Sequence, residues 1–81
     1  MLKKKYDSAF KIALEINDSQ LGSDLKYESI VEWDSIGHMS LIAELEDTFD
    51  ISMEMDDIID FSSYDKGIKL LKKYNIDISN S

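Results

Sequence analysis

The chain has 81 residues, 43% of them hydrophobic, enough for one small domain with its own core and too many for a disordered tail. It contains no cysteine, no proline, one histidine and three glycines, which excludes disulfides, thiolate metal sites, a cysteine nucleophile, a multi-histidine metal centre and a glycine-rich phosphate loop. Nine lysines and no arginine face 17 acidic residues, a net charge of −8 that argues against nucleic acid or anionic lipid as a partner.

Leu2, Tyr6, Ala9, Phe10, Ala13 and Ile16 recur at helical spacing and predict a first helix over 3–16. Asn17-Asp18-Ser19-Gln20 and Gly22-Ser23-Asp24 break that pattern and open a loop to about Trp33. Leu21, Leu25, Tyr27, Ile30 and Val31 are expected to tuck this loop onto the core. Asp34 reads as the N-cap of a second helix over 35–49. A short third helix is expected at about 54–61, with Asp56 and Asp57 favouring its first turn through the dipole. Ser62-Ser63-Tyr64-Asp65 fits a capping box with Ser62 as cap and Asp65 three residues on. A last helix then runs to about Tyr74, with Lys69, Lys72 and Lys73 near its negative end. Residues 75–81 read as a loose tail. The sum is an all-α fold, a small four-helix bundle with three longer helices and one short third helix. It forms a single domain over 1–81 with an ordered core at about 3–74. No apolar run approaches the roughly 18 residues of a membrane span. Met1-Leu2-Lys3-Lys4-Lys5 lacks the apolar stretch of a signal peptide, so a cytoplasmic protein is expected.

Charge and the second helix carry the functional information. Between Lys26 and Lys66 there are twelve acids and no lysine. That run is either a solvated surface or a docking face for basic partners. At about 100° per residue, Leu41, Ile42, Leu45 and Phe49 share the core face of the second helix. Ile36, Met39 and Ala43 form a second apolar stripe roughly 140° away. Ser35, Glu46, Asp47 and Asp50 lie on or beside it. This stripe packs under the 17–33 loop, or it is an apolar centre with an acidic rim that steers a basic partner. Ser35 falls in the first turn, where unpaired N–H groups and the positive dipole end would stabilise a phosphate ester; the plainer reading is a polar first-turn residue. His38, three residues on, is expected to be a packed histidine rather than a base, because a triad, an oxyanion hole and a G-x-S-x-G elbow are missing. Trp33 reads as a core anchor. Asp50, Glu54, Asp56 and Asp57 lack EF-hand spacing, so no metal site is assigned.

Asp34-Ser35-Ile36, followed by an amphipathic helix ending Leu45-Glu46-Asp47-Thr48-Phe49-Asp50-Ile51, resembles the acyl carrier protein family. The similarity runs through the short acidic third helix and Phe61-Ser62-Ser63-Tyr64, covering about 28–74. The resemblance implies that Ser35, next to Asp34, is the attachment point for 4′-phosphopantetheine, transferred from coenzyme A by a phosphopantetheinyl transferase. The terminal thiol of that arm would carry an acyl group as a thioester, which accords with a chain that has no cysteine of its own. Ile36, Met39, Ala43, Glu46 and Asp47 would occupy partner-recognition positions, with Asp56 and Asp57 as further acidic contacts. Leu45, Phe49, Ile58, Phe61, Ile68 and Leu71 would line an interior where some carriers shelter an acyl chain. The implied partners are the transferase and acyl-loading and acyl-transfer enzymes with basic docking surfaces, and a non-enzymatic monomer is expected. Trp33, Gly37, His38 and Ser40 depart from the pattern of fatty-acid carriers. The Trp-Asp-Ser-Ile-Gly-His-Met run looks like specialised, free-standing carriers of polysaccharide or secondary-metabolite pathways. The alternative is an acidic adaptor or inhibitor that docks on a basic surface without a prosthetic group, with Ser35 unmodified or phosphorylated.

Overall fold

The structure, a computed structural model, describes residues 2–78. Among them the chain forms α1 (Leu2–Leu14), α2 (Ser35–Phe49), α3 (Met55–Asp60) and α4 (Tyr64–Leu71), with 3-10 turns at Asp18–Gln20 and Lys72–Tyr74. The expected all-α arrangement with one short third helix is what the chain adopts. α1 buries Tyr6, Ala9, Phe10 and Leu14 and makes the main helix–helix interface with α2. It stops before Ile16 because Glu15 turns left-handed, with φ 55°. α2 begins where its cap predicts: Asp34 is extended and its Oδ1 accepts from the Gly37 N–H at 2.8 Å. It ends at Asp50, left-handed with φ 53°, whose N–H returns to the Glu46 carbonyl.

Three expectations need correction. The cap of α4 is Ser63, not Ser62: Ser63 Oγ accepts from the Lys66 N–H at 3.0 Å. Asp65 is then one position short of the box, and the Ser62 carbonyl instead accepts from the Tyr27 N–H at 2.9 Å. The tail is not loose over 75–78. Asn75 turns left-handed, the Ile76 N–H closes on the Leu71 carbonyl at 3.1 Å, and Ile76 and Ile78 enter the core at 8% and 1% exposure. Residues 79–81 of that tail lie outside the described residues. Within the long loop, Leu25 is buried and Leu21 and Ile30 pack against the core, but Val31 is 90% exposed and Tyr27 lies at the surface, edge-on to His38 and Trp33.

An aromatic cluster sits within a mostly aliphatic core. Tyr6, Phe10, Trp33, Phe61 and Tyr64 meet at centroid distances from 5.0 Å (Tyr6–Phe10, edge-on) to 6.4 Å (Trp33–Phe61). Their polar tips are partnered: Tyr6 donates to the Tyr64 carbonyl and Tyr64 to the Asp7 carboxylate. Burial pushes the Tyr6 hydroxyl well above its ordinary range, and burial together with Asp7 pushes Tyr64 up to about 12. A Cβ on Gly67 would lie 2.2 Å from the Phe61 ring and 2.3 Å from the Tyr6 hydroxyl, so glycine is what lets α4 close on this cluster.

Candidate functional site

Ser35 is the first residue of α2 and is exposed. It stands on the rim of an apolar groove of about 380 Å³. α2 contributes Ser35, His38 and Met39 to the lining, α3 contributes Met55, Ile58 and Ile59, and Tyr27, Phe61 and Ser62 complete it. Tyr27 comes from the long loop, held by a short antiparallel bridge. Tyr27 N–H bonds the Ser62 carbonyl and Tyr64 N–H bonds the Leu25 carbonyl, both at 2.9 Å.

Near Ser35, Trp33 is bonded to His38, and Gly37 closes on the loop before α2. Trp33 is fully buried, and its indole N–H donates to His38 Nδ1 at 3.0 Å. An indole nitrogen only donates, so Nδ1 is the unprotonated acceptor. The proton therefore sits on Nε2, which donates to the Ile58 carbonyl at 2.8 Å and ties α2 to α3. The first turn of α2 lies so close to the loop that a Cβ on Gly37 would sit 2.1 Å from the Glu32 carbonyl. His38 is thus a packed residue with both nitrogens committed, as expected.

The second stripe of α2 stays out of the core and the 17–33 loop does not cover it: Ile36 is 78% and Met39 56% exposed, and Ala43 is also exposed. Asp47 and Asp56 are exposed beside it. Two acids expected at the docking surface are otherwise employed. Asp57 is only 3% exposed. Its carboxylate takes Lys73 Nζ at 2.6 Å and the Tyr74 hydroxyl at 2.5 Å. The bonds from Lys73 and then Tyr74 hold this carboxyl below its usual range. It is an internal tether, not a surface contact. Glu46 is half-buried, and its Oε2 accepts from the Met53 N–H at 2.8 Å, fastening the loop into α3.

Of the six residues expected to line an acyl interior, Ile58 and Phe61 reach the groove. Leu45 and Leu71 are fully buried, and Phe49 and Ile68 pack against the core away from that lining. Sequence reasoning missed Met55 and Ile59, 70% and 71% exposed on the groove's outer wall. Their spacing of four on a short helix is the signal that marks them, a helical-face spacing like the spacing of three between Ile36 and Met39 on α2.

A family model for the phosphopantetheine attachment site matches residues 9–66, most of the chain. No curated protein and no solved structure matches it. The matched span contains α2, α3 and every residue that lines the groove. No helix among the described residues is long and apolar enough to cross a membrane. The chain belongs to the phosphopantetheine attachment family, as a helical carrier domain whose covalent prosthetic group is 4′-phosphopantetheine.

Proposed function

We propose that the chain is an acyl carrier whose attachment residue is Ser35, working as one carrier domain in the cytoplasm with a phosphopantetheinyl transferase and basic-faced acyl-transfer enzymes. The observation that carries this is the position of Ser35: an exposed hydroxyl on the first residue of a 15-residue helix, at the edge of an apolar groove. The residues fit the group. A phosphate ester on Ser35 would meet the positive end of α2. Asp34 already takes the Gly37 N–H through its Oδ1, so the ester would draw on the other first-turn N–H groups. When attached, the group supplies a thiol that holds an acyl cargo as a thioester. The chain's own residues do the rest. Ile36 and Met39 offer apolar contact, and Asp47 and Asp56 offer the charge that draws a basic partner into fast, reversible, salt-sensitive docking.

The run Trp33-Asp34-Ser35-Ile36-Gly37-His38 supports a specialised pathway, polysaccharide or secondary-metabolite, over housekeeping fatty-acid synthesis. Its departures from the fatty-acid carrier pattern are built into the fold, Trp33 bonded to His38 and Gly37 closing on the Glu32 carbonyl. The test is intact mass after incubation with coenzyme A and a broad-specificity transferase. One phosphopantetheine increment is expected on the parent chain and none on Ser35→Ala. An unmodified, folded parent chain overturns the proposal.

A further inference from the structure

The groove beside Ser35 and the interior of the bundle are separated by an aromatic wall. The His38 ring stacks on Trp33 at 18° with centroids 6.2 Å apart. Phe61 closes edge-on against both, at 6.2 Å from His38 and 6.4 Å from Trp33. Phe10 backs Trp33 at 5.5 Å. Leu45 and Leu71 are fully buried and take no part in the groove lining. For an alkyl chain to pass from the groove between α2 and α3, His38 must leave the Ile58 carbonyl and the Trp33 indole. Trp33 is completely buried, so its N–H would be stranded without a partner, which is costly. Packing and hydrogen bonding therefore oppose entry together.

Resting on the Ser35 reading, we infer that this carrier keeps its cargo outside the bundle, that His38 is the positioning residue that closes the interior, and that the cargo is a short acyl group held in the surface groove rather than a long alkyl chain. The groove itself is walled by exposed, adaptable side chains, Met39, Met55 and Ile59, which suit a small group that is handed on repeatedly.

The test loads the chain from acetyl- and octanoyl-coenzyme A with a broad transferase. Parent, His38→Ala and His38→Phe proteins are compared, each checked by intact mass. Two readouts follow: thermal midpoint, and methyl NMR of Leu45, Leu71, Met39 and Met55. In the parent, acetyl and octanoyl forms are expected to melt together, with shifts confined to Met39 and Met55. Sheltering an octanoyl chain would instead raise the midpoint by on the order of 10 °C. His38→Ala opens the wall, so its octanoyl form gains midpoint over its acetyl form and the Leu45 and Leu71 methyls move. His38→Phe restores the plug without the hydrogen bonds, so it melts below the parent with the Trp33 N–H unpaired, but its acetyl and octanoyl forms melt together. Octanoyl-dependent stabilisation or Leu45 and Leu71 shifts in the parent overturn the inference, and that arm decides even if His38→Ala does not fold. A folded His38→Ala with no chain-length response removes His38 from the role. Failure to load, seen first by mass, overturns the Ser35 reading and this inference with it, whereas normal loading with interior shifts overturns this inference alone.

Discussion

α2 and α3 face each other across the groove and are built on opposite principles. α2 has fifteen residues, a side-chain cap at its start, a left-handed stop at its end, and three fully buried side chains, Leu41, Ile42 and Leu45. α3 has six residues and no side-chain cap, and its one buried residue is the charged Asp57. A helix that short does not hold itself. It is held from outside, by His38 on the Ile58 carbonyl, by Lys73 and Tyr74 on Asp57, and by Glu46 at the loop that leads into it. One wall of the groove is set by its own sequence, the other by tethers thrown from its neighbours. A partner that disturbs the Lys73 tether can therefore reshape the site from the surface, whereas one that moves His38 also reaches the buried Trp33.

Three substitutions test that contrast. The largest effect belongs to the fixed wall: Leu45→Ala is expected to cost about 2–5 kcal/mol in urea unfolding, because it empties a closed core position. A cost near zero would mean that α2 is not the platform. Cutting a tether is milder, and its signature is pH. The folded pKa of Asp57 lies below the ordinary carboxylate value of 3.8, so its contribution is complete above that value and is lost as pH falls through the lowered one. Thermal melts should show Asp57→Asn below the parent at neutral pH, with the gap closing in acid; a pH-independent gap would assign Asp57 to packing alone. The smallest effect on stability is at the rim. Ile36→Ser should leave unfolding within about 0.5 kcal/mol. It should cut the transferase kcat/KM by fivefold or more, about 1 kcal/mol of docking. Unchanged transfer kinetics would take Ile36 out of the docking surface.

What could be read from the residues follows the same division. α2 was legible to the residue, since a cap, a 3.6-residue period and a stop all act locally. So was the buried place of Trp33 and of Leu41, Ile42 and Leu45. The fate of Asp57 was not, because Lys73 and Tyr74 lie sixteen and seventeen residues away and only the closed bundle brings them together. Ser63 displaced Ser62 as cap because the bridge to the long loop claims the Ser62 carbonyl, a pairing across more than thirty residues that no local pattern announces. Val31 and Tyr27 look like core residues by type, but Val31 is exposed and the bridge at Lys26 and Ser63 sets Tyr27 at the groove, against His38. The acidic, two-striped character of α2 was visible; that α3 adds Met55 and Ile59 to the same opening required the fold.

The buried Trp33 is the chain's only tryptophan, and its indole is bonded to the histidine that borders the groove. The protein thus carries an intrinsic optical probe at its working end. The indole is fully removed from water, so a blue-shifted emission is expected. Anything that shifts His38, whether arm, cargo or partner, alters that fluorophore's immediate neighbour, so events at the groove can be followed in real time without a dye or a tag, with excitation at the red edge where the four tyrosines do not absorb.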